Sequence, residues 1–301
     1  MSPAIAIILN GISRKKKAFY REIYPALTQK FELEVFETQR AGHASELSRL
    51  ATEKGFDFIV AAGGDGTLNQ VVNGVLLSRK KPLPVLGLIP LGTGNDFARM
   101  CGLSPNPQSF INLAVANKPK PLDLGRIACQ DQQGGEVIRY FINACSIGMG
   151  PAVVKQLEKT DRSLGPMLTY WKAITTTFFT HRPQEIECKT PTWEWRGKIR
   201  VIVIANGRSF GNKLYIAPDA LPDDGVLNTF IAGEIPLLKF LIYQQALKSR
   251  KKIKDKLIAY NQTTHVELAA PESCPIETEG ELAGYLPARI EIIPSGIRFL
   301  R

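Results

Sequence analysis

The run Gly63-Gly64-Asp65-Gly66-Thr67-Leu68-Asn69 holds the residue types that phosphate chemistry asks for. Three glycines let the main chain turn sharply and bring bare N–H groups close to an anion. The apolar segment 58–62 before them reads as a short buried strand, and 67–77 after them repeats apolar residues at helical spacing. A phosphate at such a turn also meets the positive end of a helix. Asp65 alone would repel it, and makes sense with a magnesium ion between the two charges. The combination points to a phosphotransferase that uses a nucleotide. It is not a Walker A loop, since no Gly-Lys-Ser or Gly-Lys-Thr follows, and no GxGxxG fingerprint is present. The same letters also serve an ordinary strand-to-helix connection with Asp65 as the cap.

A second glycine turn follows at Leu91-Gly92-Thr93-Gly94-Asn95-Asp96. It too ends a strand, 85–89, with Thr93 as a hydroxyl donor and Asp96 opening a helix. Two such turns at the same ends of neighbouring parallel strands face one crevice, the place where open α/β sheets bind ligands.

GGDGTLN followed by PLGTGNDFAR resembles the bacterial diacylglycerol kinase and lipid kinase family, relatives of the sphingosine kinases. The resemblance runs on through Ile142-Asn143-Ala144, Gly148-Met149-Gly150, Ala205-Asn206-Gly207, Phe210-Gly211 and Ile216-Ala217-Pro218-Asp219-Ala220. It ends at Asp223-Asp224-Gly225 and Glu279-Gly280-Glu281, so it covers nearly the whole chain. GGDGT alone is shared with NAD kinases and phosphofructokinases; the ordered set is far more specific.

The resemblance implies ATP as donor, Mg2+ as cofactor, and a hydroxyl of diacylglycerol or a similar lipid as acceptor, held between two domains. It places Asn10, Ser13, Thr38, Gly63, Gly64, Asp65, Gly66, Thr67, Leu68, Asn69 and Thr93 toward the nucleotide. It makes Glu281 the base and Asp65 and Asp96 the metal-side carboxylates. A structural magnesium is implied at Asp224 with the carbonyls of Leu221 and Val226; a tight Asp-Gly turn satisfies the same letters. His43 resembles a position near the nucleotide, and reads equally as loop structure. Two departures stand out: Arg14 occupies a position where the family has glycine, and Glu279 one where it has aspartate. The alternatives are an NAD kinase-like or sphingoid-base kinase, or an inactive nucleotide-binding regulator.

These residues must be positioned by two different textures of chain. Up to about residue 122, strands (4–9, 32–37, 58–62, 85–89) alternate with helices (19–30, 44–54, 67–77, 96–101, 107–116). That rhythm predicts a doubly wound, mostly parallel α/β sheet covered on both faces, NAD kinase- or phosphofructokinase-like by resemblance. Strand-like segments dominate 123–289, with helices only near 151–158, 165–179 and 236–249, predicting a mainly antiparallel β-sandwich; the resemblance makes it the lipid-substrate domain. In similar proteins the tail, 290–301, returns to the nucleotide domain. The apolar run 168–179, with Trp171, Phe178 and Phe179, reads as core or as shelter for acyl chains.

A chain of 301 residues with 44% hydrophobic residues has material for two cores. No apolar stretch approaches the roughly 20 residues that span a bilayer. The opening Met1-Ser2-Pro3 passes straight into a strand, so a soluble, cytoplasmic protein is expected. The five cysteines are odd in number and scattered, which fits reduced thiols. A formal charge of +10 asks for anionic partners: nucleotide phosphates, an anionic membrane surface or nucleic acid. No nucleic-acid-binding motif is present. Basic clusters at 14–17 and 248–256 are a solvated helix end or, for the second, the flank of a membrane-facing helix. Oligomeric state is open, a homodimer included.

Overall fold

The computed structural model describes residues 3–159, 166–211 and 213–301. Gly165, the expected start of one helix, and Met1-Ser2 lie outside the described residues. Strands β1 (Ile5–Leu9), β3 (Phe58–Gly63) and β4 (Val85–Pro90) are buried along their whole length. Such uninterrupted apolar strands need cover on both faces, and they have it. With β2 (Leu33–Glu37) they pair in parallel in the order β2-β1-β3-β4.

Alternate side chains enter two different cores. Ile5, Ile7 and Leu9 pack with Phe58, Val60 and Ala62 against a broken helical stretch and against α6 (Pro107–Ala116). That stretch comprises α1 (Lys16–Ala18), a π turn at Phe19–Ile23 and α2 (Tyr24–Thr28). Ala6, Ile8, Ile59 and Ala61 face the other way, onto α3 (His43–Lys54) and α4 (Asp65–Leu77). A short α5 (Asp96–Met100) follows β4.

The remainder is dominated by antiparallel strands: β5 (Lys120–Gln130), β6 (Glu136–Phe141), β7 (Ala144–Gly148), β8 (Gln184–Lys189) and β9 (Glu194–Ala205) come first. They are followed by β10 (Leu227–Gly233), β11 (Ile258–Thr263), β12 (His265–Ala269), β13 (Pro275–Thr278) and β14 (Glu281–Phe299). Cys145, Ile147, Ile202 and Ile204 point into a core between strands, together with Cys129, Cys188 and Cys274. All five cysteines are free thiols. Ala144, Val203 and Ala205 point to the opposite face, covered by α7 (Met149–Lys159), α8 (Pro166–Thr180) and α9 (Leu237–Lys248).

β14 ties the two regions together. It pairs antiparallel with β13, β12 and β5, and at Phe299 it meets Leu86 of β4 in parallel. Pro287 and Pro294 lie within it, and its pairing register to β5 shifts at 285–289 and 293–297. Proline removes a ladder donor, so bulges at those points let one strand change direction.

Helices α3 and α4 touch at Gly74, where an added Cβ would lie 2.1 Å from both Ser45 O and Ser48 Oγ. Alanine in a helix interior ordinarily adds about 1 kcal/mol over glycine. Here the steric term reverses the sign: Gly74→Ala should destabilise the protein by about 1–3 kcal/mol in urea unfolding.

Candidate active site

The two glycine turns meet backbone to backbone. Leu91 N and Gly92 N both donate to Gly63 O, at 2.8 and 3.2 Å. A Cβ on Gly92 would fall 2.4 Å from Gly64 Cα, and one on Gly64 would fall 3.1 Å from Gly92 Cα. Only glycine at both positions permits this approach. The extended Gly64 starts α4 with no side chain capping it. The first-turn N–H groups of a 13-residue helix are thus left for an outside acceptor. Gly63 is needed for a different reason: a Cβ there would sit 2.4 Å from Thr67 Oγ1.

The end of β1 joins the same place. Asn10 Nδ2 donates to Thr67 Oγ1 at 3.3 Å, and Gly11 N donates to Thr38 Oγ1 at 3.1 Å. Ser13 Oγ accepts from Lys15 N, which turns the chain so that Lys15 Nζ reaches Gly92 O at 3.2 Å. Asn10, Ser13, Thr38, Gly63, Gly64, Gly66, Thr67 and the exposed Thr93 therefore form one rim, and Lys15 adds a cation over it. Leu68 and Asn69 face inward instead: Leu68 lies in the core, and Asn69 is buried and accepts from Asn73. Arg14 is exposed, and His43 Nδ1 accepts from Gln39 N, a loop contact.

The expected metal-side carboxylates have other occupations. Asp65 accepts from the N–H groups of Asp96 and Phe97 at 2.9 and 3.0 Å, capping α5 across the gap between turns. Burial nonetheless raises its pKa, those two donors pulling the other way. Asp96 is buried. Its Oδ1 accepts from Arg99 at 2.5 Å, Ser209 Oγ at 2.9 Å and Lys213 N at 3.0 Å, bracing the second turn against the β-rich region.

Three glutamates close the other side. Glu279, in the left-handed region at φ 51°, accepts from Asn143 N at 2.7 Å and Ala144 N at 3.1 Å. Burial pushes its carboxyl well above the usual carboxylate range, and the Asp65 charge adds to the effect. Glu277 is buried and accepts from Ser146 Oγ at 2.6 Å and Gly280 N at 2.8 Å; burial raises its pKa as well. Glu281 is exposed, and its Oε1 lies within 3.7 Å of where a Gly66 Cβ would be. The last residue of the chain's Glu-Gly-Glu motif thus touches the first phosphate-type turn. Partial burial raises its pKa, and a hydrogen bond from Gln70 opposes the rise. Glu277 and Gln70 escaped the sequence reading, which took Lys15 only as part of a basic cluster, since the fold alone brings them here.

From this polar rim a cavity of about 360 Å3 runs into the β-rich region. Gly64, Asp65, Thr93, Asp96, Glu277 and Glu279 stand at one end. Val153, Ile174, Val203, Phe230, Phe240 and Leu247 line the rest, so the cavity is polar at its mouth and apolar in its depth. Of the 168–179 run, Ile174 lines the cavity, Phe178 packs on Phe240, and Phe179 points to solvent.

The loop proposed for a second metal lies elsewhere, and none of its residues lines the cavity. Asp224 Oδ1 accepts from Val226 N at 3.2 Å, and burial raises its pKa. Its neighbours are committed: Asp123 accepts from Gly225 N and Ser295 N, and Asp223 pairs with Arg301 at 2.5 Å. Among the described residues no group of three His, Cys, Asp or Glu is placed to hold a metal.

Comparison with known proteins identifies the family. The family model "Diacylglycerol kinase catalytic domain" matches residues 4–127, and "YegS C-terminal NAD kinase beta sandwich-like domain" matches 143–301. The Serratia proteamaculans protein named "Probable lipid kinase YegS-like" is 30% identical over 98% of this chain and 93% of its own. The Bacillus subtilis protein named "Diacylglycerol kinase" is 29% identical over 93% and 90%. A solved diacylglycerol kinase from Bacillus anthracis str. Sterne shares the fold with TM-score 0.71 at 19% identity, covering 99% of this chain and 96% of that one. The chain belongs to the diacylglycerol kinase and YegS-like lipid kinase family, and so to the kinases.

Gly92→Ala must push the two turns apart. Misplacement of about 1 Å is expected to cost about a hundredfold in turnover while the fold persists by circular dichroism.

Proposed function

We propose that the protein is an ATP-dependent lipid kinase that phosphorylates a hydroxyl of diacylglycerol or a lipid of similar form. One observation carries this reading: an apolar cavity whose polar mouth is built from both glycine turns and two glutamates. A ligand that fits it has a long apolar body and a polar, hydroxyl-bearing end, held where a nucleotide's terminal phosphate would lie. Residues 1–122 with the returning tail would hold the nucleotide, and 123–289 the lipid.

Phosphoryl transfer asks mainly for positioning and charge stabilisation. The free N–H groups at the start of α4 and the Lys15 cation would cradle the triphosphate. Glu281 would take the proton of the attacking hydroxyl as its oxygen bonds to the γ-phosphorus and the bond to the bridging oxygen of ADP breaks. A raised pKa makes this carboxylate a better proton acceptor than one at the ordinary value. Asp65 keeps lone pairs beyond its two hydrogen bonds, since a carboxylate offers about four acceptor sites. That suits a magnesium ion held through water and phosphates rather than by a cage of side chains. Magnesium, when bound, neutralises charge on the phosphates. Asp96, already engaged with Arg99 and Ser209, acts instead as a strut for the second turn.

An NAD kinase shares the first motif, but its acceptor is polar throughout, and the depth of this cavity is apolar. Incubating the full chain with radiolabelled ATP, magnesium and either extracted lipids or NAD separates the two readings. Label in a lipid product supports the proposal; label in NADP alone overturns it. Glu281→Gln should abolish lipid phosphorylation and leave nucleotide affinity within about twofold, since the amide keeps the side chain's size beside Gly66.

The pH dependence carries a further sign. Glu281 acts deprotonated, so kcat/KM falls as pH drops through its raised pKa, above the ordinary glutamate value of about 4.3. Gln70→Leu removes the hydrogen bond that favours the charged form, so the acid limb should move to higher pH. A limb that stays in place would remove Glu281 as the titrating base.

A further inference from the structure

Helix α9 is apolar on both of its faces. The inner face, with Phe240, Tyr243 and Leu247, lines the cavity. The outer face carries Leu238, Leu241 and Ile242, spaced as neighbours on one side of a helix and 71%, 40% and 56% exposed. An apolar helix face is normally covered by protein or by lipid. Here protein covers one side only.

The surroundings extend the patch. α8 lies against α9, with the Phe178 and Phe240 rings 4.7 Å apart and Lys248 Nζ 4.6 Å from the Trp171 ring centroid. The outer edge of α8 adds exposed Leu168 and Phe179, with exposed Lys172 between them. Immediately beyond α9, Lys251, Lys254 and Lys256 are exposed, and no carboxylate pairs with them among the described residues. The acidic groups nearby are largely spent: Asp255 on Lys239 at 2.5 Å, Asp219 on Lys252 at 2.6 Å. Glu234 remains exposed at the head of the helix. An apolar stripe with a lysine-rich flank is complementary to an anionic bilayer, which offers acyl chains beneath phosphate headgroups.

We propose that the outer surface of α8 and α9 docks on an anionic membrane. Leu238, Leu241, Ile242 and Phe179 enter the boundary between headgroups and acyl chains, and the lysines meet the lipid phosphates. Since the other side of α9 is the cavity wall, docking sets the cavity directly against the bilayer that holds its ligand. Only this last step rests on the lipid kinase reading; the docking itself is measured without catalysis.

The test is co-sedimentation of the full chain with phosphatidylcholine vesicles, with or without about one-third phosphatidylglycerol. The wild type should bind the anionic vesicles and be released by high salt, because exposed charges are screened beyond about 10 Å at 0.1 M. The double variant Leu238→Asn/Ile242→Asn, whose side chains lie outside the cavity, should lose at least about tenfold in partitioning. Lys251→Gln/Lys254→Gln should lose binding to anionic vesicles selectively. Turnover of a short-chain lipid dissolved as monomers should be unchanged in both. Vesicle binding unchanged by the double variant overturns the proposal, as does a wild type that ignores vesicles but dissociates from a dimer when Leu238 and Ile242 are replaced. A wild type that binds vesicles yet phosphorylates no lipid sinks the kinase reading and leaves the docking surface standing.

Discussion

The contact between Gly64 and Gly92 is the constraint on which the rest of the site depends. Two parallel strands end side by side, and their following turns can touch only if neither carries a side chain there. That approach leaves the head of α4 uncapped by any side chain and aims it at one crevice. Asp65 then bridges to the N-terminus of α5, locking the second turn to the first with two hydrogen bonds. Asp96 carries the lock onward to Ser209 and Lys213 in the β-rich region. The phosphate-type turns and the apolar cavity are thereby fixed with respect to each other through hydrogen bonds accepted by buried or half-buried carboxylates. Such bonds hold geometry well because breaking one strands a charge away from water.

The second integrating element is β14. Its nineteen residues pair with strands of both regions, from β13 beside the glutamates to β4 beside the glycine turns. Glu281 is its first residue and Phe299 its last. A single strand therefore sets both the height of the candidate base over Gly66 and the docking of the tail on the first sheet. Displacement at one end is felt at the other, since close-packed interiors transmit strain.

Much of this was legible in the chain itself. β1, β3 and β4 announce themselves as continuous apolar runs because both of their faces are covered, and α4 by its helical spacing. Asn10, Ser13 and Thr38 were legible on the rim only through resemblance, because residues so distant in sequence meet Thr67 by strand order alone. Leu68 and Asn69 were grouped with the rim by adjacency, but the phase of a helix starting at Asp65 turns both inward. β11 escaped because Asn261 and Gln262 break any alternation, and the length of β14 was hidden by Pro287 and Pro294, which usually end strands. Glu277 had no signal of its own; it matters because β13 pairs with β7 and sets it opposite Ser146.

The most direct measurement is a crystal structure of the full chain with a non-hydrolysable ATP analogue, magnesium and a diacylglycerol analogue. The account predicts the terminal phosphate on the N–H groups of Gly64 to Thr67, acyl carbons beside Ile174 and Phe240, and the lipid hydroxyl within about 3.2 Å of Glu281. A nucleotide lodged away from both glycine turns, or a lipid bound outside the cavity, would contradict it.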